Sequence, residues 1–265
     1  MGRWWSLVFL SVPILGTLAF VIPAANMWPM QDHWLPENIN VSGHIIDSLF
    51  MFILYLTGII FIGTGIALFY VLWKYDAAKN PEPSVYSHGS HTLEVVWSIL
   101  PAATLLFIAI YQMSAWADAK LRRPDKDPIA EVTGRQFEWR IRYAGKDGKL
   151  YTRDDIQTVN DLHLPANETI VLAIKSQDVL HSFFLPNLRV KQDVVPGMVQ
   201  YVWFNANKTG RYDLVCAELC GWGHYKMKGR LSLESRENFD RWLESEFQAQ
   251  ETAEFAAPTG EDEDE

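Results

Sequence analysis

The chain is poor in cysteine and lacks a motif for attaching haem. Its 265 residues include two cysteines, Cys216 and Cys220, which can form one disulfide with each other or serve as a pair of metal-binding thiolates. The pattern Cys-x-x-Cys-His does not occur, which excludes a fused c-type cytochrome domain. No nucleophile–base arrangement stands out either.

Basic residues are too few to give the chain a cationic surface. Lysine and arginine number 23 against 32 aspartates and glutamates, which gives a formal net charge of −9. Residues 251–265 alone carry seven acids and no base, so the rest of the chain is nearly neutral. Nothing indicates nucleic-acid binding, and we expect 251–265 to be a disordered acidic tail.

Long apolar runs are absent after residue 118 but frequent before it. The runs 45–73 and 95–116 are each long enough for the ~20 helical residues that cross a bilayer. Pro101 falls in the first turns of the second run, where a proline kink costs least. We therefore predict a transmembrane helical hairpin over residues 44–117 and a lipid membrane as a partner.

A further apolar run, 4–22, has two interpretations. It is either the apolar part of a secretory signal or a third, retained transmembrane helix, and we favour the retained helix. Residues 1–43 then comprise this segment and an external loop.

The few basic residues beside the apolar runs set the orientation. Lys74 and Lys79 lie between the two long runs, and Arg3 directly precedes the run 4–22. Basic residues stay on the cytoplasmic side. We therefore predict a protein of the bacterial inner (cell) membrane, with the segment from residue 117 onward on the periplasmic side.

The outer segment has the composition of a soluble β domain. After a charged linker, 118–128, short runs rich in Val, Ile, Tyr, Phe and Trp alternate with Gly, Asn, Asp and Pro across 129–235. This spacing predicts a Greek-key sandwich or a small barrel. Ser235 is a suitable N-cap for a helix over 236–250, with four apolar residues on one face. These are Phe239, Trp242, Leu243 and Phe247.

Both cysteines lie in the stretch CAELCGWGHYKM, residues 216–227, together with a histidine and a methionine. A disulfide is the ordinary expectation for two nearby cysteines outside the cytoplasm. Two thiols, an imidazole and a thioether are also the soft ligands that copper prefers. A single copper needs one thiolate, whereas a second one lets two sulfurs bridge two coppers.

A dinuclear site needs another histidine from elsewhere in the chain. His181, in SQDVLHSFFLP, lies 35 residues before Cys216 in the predicted β domain. His163 is interpreted as an ordinary strand or turn residue. The alternative for His181 is a hydrogen-bonded core histidine.

The stretches DVLHSFFLPNLRVKQDVVPG and CAELCGWGHYKM, together with the helical anchor, resemble subunit II of the haem-copper cytochrome c oxidases. The resemblance covers roughly residues 44–235. It implies a membrane-anchored all-β protein, in which transmembrane helices precede a cupredoxin-like Greek-key domain, and a dinuclear copper A centre. Cys216 and Cys220 would bridge the coppers, His181 and His224 would be terminal ligands, and Met227 and the Glu218 carbonyl would be weak axial ligands.

The same resemblance implies an electron-accepting subunit of a respiratory terminal oxidase. Electrons would come from cytochrome c or a similar carrier and pass to haem in subunit I, where oxygen is reduced to water with proton translocation. The Glu218 carboxylate would also reach a magnesium ion shared with subunit I. Other oxidase subunits are expected as partners.

Two further positions take roles from the resemblance. The family's aromatic stretch reads Gly-His-Gln-Trp-Tyr-Trp, and the corresponding residues here are Gly134 to Trp139, with Phe137 in place of the tryptophan that receives electrons. Phe137 and Trp139 are therefore candidates for the site at which electrons enter. The alternative is that they form an aromatic stripe of the core. Glu94 matches the acid at the mouth of a proton path, or is an acid favoured by the helix dipole.

Two other functions remain open on the sequence. One is a structural subunit of a quinol oxidase without copper, and the other is a membrane-anchored copper carrier or single-copper cupredoxin. Copper stoichiometry separates them from the leading hypothesis, which predicts two ions per chain.

Overall fold

A computed structural model describes residues 2–79, 81–83, 85–145 and 147–256. The chain divides into two compact units. The first comprises Met1–Pro36 and Ile45–Ala115, and the second comprises Glu37–His44 and Trp116–Glu265. The first unit is helical and the second is mostly β structure, which confirms the predicted fold class.

Three helices in the described residues are long and apolar enough to cross a membrane. They are α1 (Gly2–Ala24), α2 (Gly43–Lys74) and α3 (His91–Lys120). The α3 helix ends three residues beyond the hairpin boundary of 117 given by the sequence. In α2, the hydroxyls of Thr57 and Thr64 donate to the carbonyls of Ile53 and Ile60 at 2.8 and 2.9 Å. These bonds satisfy polar side chains within an apolar segment.

Helix α1 packs against α2 within the helical unit. A Cβ atom added at Gly65 would lie 2.7 Å from the ring of Pro13, and one added at Gly16 would lie 3.0 Å from Phe61. The two glycines therefore allow close approach of the helices, as small residues do in membrane interfaces. The apolar run at the N-terminus is thus a helix with a packing partner.

The second unit is a sandwich of two five-stranded sheets. One sheet has the order β3-β2-β1-β5-β8 and the other β4-β10-β9-β6-β7. The β1/β5 and β4/β10 pairs are parallel and the other pairs are antiparallel. The strands are β1 (Ala130–Arg135), β2 (Glu138–Tyr143), β3 (Ile156–Val159), β4 (Asp161–Pro165), β5 (Thr169–Ser176), β6 (His181–Leu185), β7 (Val190–Val194), β8 (Gln200–Asn205), β9 (Gly210–Cys216) and β10 (Lys228–Glu234).

The sandwich core is built from residues that alternate along the strands. In β2, for example, Trp139, Ile141 and Tyr143 are buried, whereas Arg140 between them is exposed. The segment Glu37–His44, whose last two residues begin α2, also belongs to this unit. Its Ile39 is fully buried in the core, and Asn40 donates to the carbonyl of Leu188 at 2.9 Å.

The end of α3 and the linker after it are held against the sandwich. The indole of Trp203 donates to the carbonyl of Asp118 at 3.0 Å, and Lys120 donates to the carbonyl of Lys191 at 2.7 Å. The guanidinium of Arg123 lies 3.6 Å from the ring centre of Tyr201. These contacts attach the last turn of α3 and Arg123 of the linker to the β unit.

A final helix, α4 (Arg236–Ala256), covers one edge of the sandwich. The hydroxyl of Ser235 accepts from the Asn238 N–H at 3.3 Å, as an N-cap does. Phe239 is buried and Trp242 stacks on His163 with 4.0 Å between ring centres. The helix continues six residues past 250 into the segment expected to be disordered. The remainder of that acidic tail, 257–265, lies outside the described residues.

Candidate metal centre

The cysteine loop begins at the end of β9 and returns to the start of β10. Its base is closed by a hydrogen bond from the Cys216 N–H to the Met227 carbonyl at 3.1 Å. Strand β6 pairs with β9 so that Phe183 is opposite Cys216. This pairing brings His181, two residues before Phe183, to the loop.

The two thiols are close together and not bonded. Their sulfurs are 3.9 Å apart, and both cysteines are free. The Cys216 sulfur lies 3.9 Å from Nδ1 of His181 and 3.2 Å from the Glu218 carbonyl oxygen. The structure thus lacks the disulfide that was the alternative interpretation.

The other ligand atoms gather around the second cysteine. The Cys220 sulfur lies 3.7 Å from Nδ1 of His224 and 3.6 Å from the sulfur of Met227. The ligand atoms of His181, Cys216 and Cys220 all lie within 4.8 Å of one another, close enough for a metal ion. All six residues proposed as ligands by the sequence resemblance thus meet in one place.

This cluster is largely closed to solvent. His181, Cys216, Cys220 and Met227 are buried, and His224 is half-buried. Soft ligands in a buried, preorganised loop suit an ion whose charge changes, because little solvent or protein has to reorganise. The donor set of two thiols, two imidazoles and one thioether fits copper.

A carboxylate orients His181 from the side away from the sulfurs. Nε2 of His181 lies 2.8 Å from Oδ1 of Asp178, which leaves Nδ1 facing Cys216. Asp178 also accepts from the Gln136 N–H at 2.7 Å. Burial raises the pKa of Asp178, but hydrogen bonds from Gln136 and His181 outweigh it and lower that pKa. Metal-binding histidines usually have such a carboxylate partner.

The two thiols differ in acidity. Burial raises the pKa of Cys216, but hydrogen bonding to His181 and to backbone groups outweighs burial and lowers that pKa to about 6. Burial and the charge of Cys216 raise the pKa of Cys220 to about 12. The charge of one thiolate therefore opposes ionisation of the other. A metal cation would compensate the second negative charge, so the electrostatics also fit a metal-binding role.

The remaining sequence candidates lie in several different elements. Trp139 is fully buried, with its ring centre 6.1 Å from that of His181. Phe137 is half-buried at the turn between β1 and β2. Glu94 lies in the first turn of α3, in the helical unit. His163 lies in β4, near Asp161 and Glu234.

Three residues beside the site were not predicted. Asp178 and Gln136 hold His181 and the loop, since the Gln136 amide donates to the Cys220 carbonyl at 2.6 Å. Trp222 lies on Phe137, with ring centres 5.5 Å apart. Asp178 is only three residues before His181, so the usual histidine–carboxylate pairing would have found it.

Two family profiles match the chain. Residues 132–232 match the profile for cytochrome c oxidase subunit II, periplasmic domain. Residues 31–114 match that of the cytochrome c oxidase subunit II transmembrane domain.

Similar proteins come from several bacteria. The alternative cytochrome c oxidase subunit 2 of Bradyrhizobium diazoefficiens is 28% identical over 266 residues, which cover 91% of each chain. A probable cytochrome c oxidase subunit 2 of Rickettsia bellii is 30% identical over 207 residues, 73% of this chain and 76% of that one. A crystal structure of the periplasmic domain of cytochrome oxidase subunit II from Bradyrhizobium japonicum is 28% identical and covers 48% of this chain and 97% of that chain, with a TM-score of 0.42.

Proposed function

The chain belongs to the cytochrome c oxidase subunit II family, and from this premise we propose that it accepts electrons for an oxygen-reducing terminal oxidase at a dinuclear copper centre. The chain is a membrane-anchored oxidoreductase subunit with its β domain on the periplasmic side. The observation that carries the proposal is the convergence of two free thiols with imidazole and thioether groups in a buried loop.

Six residues would hold the two copper ions. Cys216 and Cys220 would hold them together with His181 and His224, because each sulfur lies near a histidine Nδ1. The ions would supply one-electron redox chemistry. The proposed ligands are His181, Cys216, the Glu218 carbonyl, Cys220, His224 and Met227.

The protein around the ligands keeps them in place and keeps water out. The β9–β10 backbone bonds close the loop, and Asp178 fixes the ring of His181. Ligands that are held in this way move little when the charge of the centre changes. The chain's own contribution is therefore rigidity and exclusion of solvent.

The partners proposed for this chain follow from family membership. Electrons would pass from the copper centre to haem in subunit I, where oxygen would be reduced to water and protons translocated. Other oxidase subunits would complete the complex. The Glu218 carboxylate would bind a magnesium ion at the subunit I boundary. Glu94 would lie at the mouth of a proton path. Cytochrome c or a similar carrier would deliver electrons near Phe137, and the buried Trp139 would lie behind it.

Metal analysis of the purified full-length chain in detergent tests the proposal. We expect two coppers per chain and an electron paramagnetic resonance spectrum in which one unpaired electron is shared by two copper nuclei. His181→Gln should lose this spectrum. His163→Gln is the matched control and should keep it, because His163 lies in β4 beside Asp161 and Glu234.

The other functions predict different copper contents. One copper per chain would favour a single-copper cupredoxin, and none would favour a structural subunit. A bond between the sulfurs of Cys216 and Cys220 in the copper-treated chain would contradict the proposal.

A further inference from the structure

The metal loop presents a large aromatic side chain to solvent. Trp222 lies two residues after Cys220 and two before His224, and 76% of its surface is exposed. Its ring meets that of Phe137 edge to face, at 5.5 Å between centres and 66° between planes. Exposed tryptophans that are held in place are typical centres of protein–protein contacts.

The backbone of the loop fixes this position. Gly223 is buried, and a Cβ atom there would lie 2.5 Å from the ring of Phe137. Gly221 has φ +136°, and the Gln136 amide donates to the carbonyl of Cys220 at 2.6 Å. The loop is therefore seated directly on the β1–β2 turn, which places Trp222 over Phe137.

A cation lies against the exposed indole. Nζ of Lys226 lies 4.7 Å from the centre of the Trp222 ring, a cation–π contact that also orients the ring. Arg135, at the end of β1, is exposed two residues before Phe137. Its ion pair with Glu138 is long, at 3.9 Å. An aromatic surface with a cation against it complements a flat apolar edge that is bordered by carboxylates.

We propose that Trp222 is the contact through which an electron donor reaches the metal centre, and that the donor is a haem protein whose exposed haem edge is bordered by acidic groups. The inference rests on the function proposed above and assigns its donor surface. One electron leaves the ferrous haem, which becomes ferric, and the acceptor centre gains that electron. No bond forms or breaks and no proton moves.

The alternatives to Trp222 are less accessible. Phe137 is half-buried beneath it, and Trp139 is fully buried. A donor that approaches this turn therefore contacts the indole first. From there only one residue on either side separates Trp222 from the proposed ligands Cys220 and His224.

Binding can be tested without copper. The full-length chain, labelled with 5-fluorotryptophan and reconstituted in nanodiscs, gives one fluorine resonance per tryptophan, and the resonance missing in Trp222→Leu belongs to Trp222. Ferric acidic bacterial cytochrome c should broaden this resonance before any other, because the haem iron is paramagnetic. Uniform or absent broadening would overturn the inference.

Electron transfer gives the second measurement, in the copper-loaded oxidase complex. Trp222→Leu should lower the second-order rate of oxidation of the ferrous acidic cytochrome by about 10-fold or more, the loss expected for a central contact residue. Tyr225→Leu is the matched control, since it removes an 81% exposed ring from the same loop. Lys226→Glu should lower the rate at which the acidic cytochrome is oxidised and raise the rate for a basic mitochondrial-type cytochrome c. Equal rates in wild type and Trp222→Leu, or an equal loss in Tyr225→Leu, would contradict the inference.

A small donor separates this inference from the proposed function. Reduced tetramethyl-p-phenylenediamine needs no docking surface, so wild type and Trp222→Leu should both accept its electrons at similar rates. If wild type does not accept them, the proposed function fails, and the inference fails with it. If wild type accepts these electrons and Trp222→Leu oxidises the acidic cytochrome as fast as wild type does, only the inference fails.

Discussion

At the scale of single residues, the proposed ligands depend on neighbours that touch no metal. Asp178 and Gln136 lie behind His181 and beneath the cysteine loop. These contacts determine which ring nitrogen faces the sulfurs. Such supporting residues commonly affect metal affinity almost as strongly as ligands do.

Asp178→Asn tests this support. The amide cannot hold the His181 ring as a carboxylate does, so we expect copper affinity to fall about 10- to 100-fold. Competitive titration of the full-length chain with a copper chelator measures the change. Asp193→Asn is the control, because the carboxylate of Asp193 bonds to Ser182 and Lys191. Equal losses in both variants would contradict the supporting role of Asp178.

A second residue-scale prediction concerns pH. The buried hydroxyl of Ser182 donates to Asp193 at 2.7 Å, and this bond, followed by that of Lys191, lowers the pKa of Asp193. A carboxyl with a lowered folded-state pKa stabilises the fold above its unfolded pKa of about 3.9. That contribution disappears as the pH falls through the lower folded-state value.

Ser182→Ala should therefore lower the free energy of unfolding by about 0.5–1.5 kcal/mol at pH 7. The difference from wild type should narrow below about pH 4. Urea unfolding of the detergent-solubilised chain, followed by near-ultraviolet circular dichroism, measures both values. A difference that is the same at pH 7 and pH 3 would contradict the assignment to Asp193.

At the scale of elements, the loop and the β1–β2 turn depend on each other. Gly223 has no room for a side chain because the ring of Phe137 fills the space. The cysteine loop is therefore correctly positioned only while the turn stays beneath it. The glycine at position 223, next to Trp222, is therefore explained by its contact with Phe137.

Gly223→Ala should displace either the loop or Phe137. We expect lower copper occupancy, measured as copper per chain after dialysis. The double variant Gly223→Ala/Phe137→Ala should recover most of that loss, because it vacates the space that the new methyl group needs. No recovery would show that the glycine serves another purpose.

Helix α4 is attached mainly through aromatic contacts. Trp242 stacks on His163 with only 4° between ring planes, and meets Tyr143 edge to face at 5.1 Å. Trp242→Ala should cost about 2–3 kcal/mol of unfolding free energy, less than a fully buried tryptophan. Hydrogen exchange of α4 amides should accelerate while copper content stays unchanged. Arg241→Ala removes a side chain from the exposed face of α4. It should change neither the free energy of unfolding nor the exchange rate of the α4 amides.

At the scale of the whole molecule, two distant segments determine the membrane topology. Residues 37–44, between α1 and α2, belong to the β unit, as do the residues after α3. Both segments must therefore lie on the same side of the membrane. This agrees with three crossings, the N-terminus inside and the loop between α2 and α3 inside.

Cysteine labelling checks this topology. In a Cys216→Ser/Cys220→Ser background, an impermeant maleimide should label Thr252→Cys in intact spheroplasts, because α4 faces the periplasm. Ser87→Cys, in the loop before α3, should react only after the membrane is opened. Labelling of both positions in intact spheroplasts would contradict the predicted orientation.

Features that depend on neighbouring residues could be predicted from the amino-acid sequence. The length of the apolar runs specified the membrane helices, and alternating strands specified a β domain. The spacing of soft side chains in residues 216–227 placed one histidine and a methionine beside both cysteines. These are local patterns, and their physical cause lies within a few turns or strands of the chain.

Contacts between residues that are far apart in the chain became visible in the folded domain. The pairing of β6 with β9 places His181 at the sulfurs, and packing of the cysteine loop on the β1–β2 turn places Trp222 over Phe137. Burial of Ile39 ties the segment before α2 to the sandwich. Such contacts depend on strand register and on which surfaces must leave water together, and no local spacing encodes them.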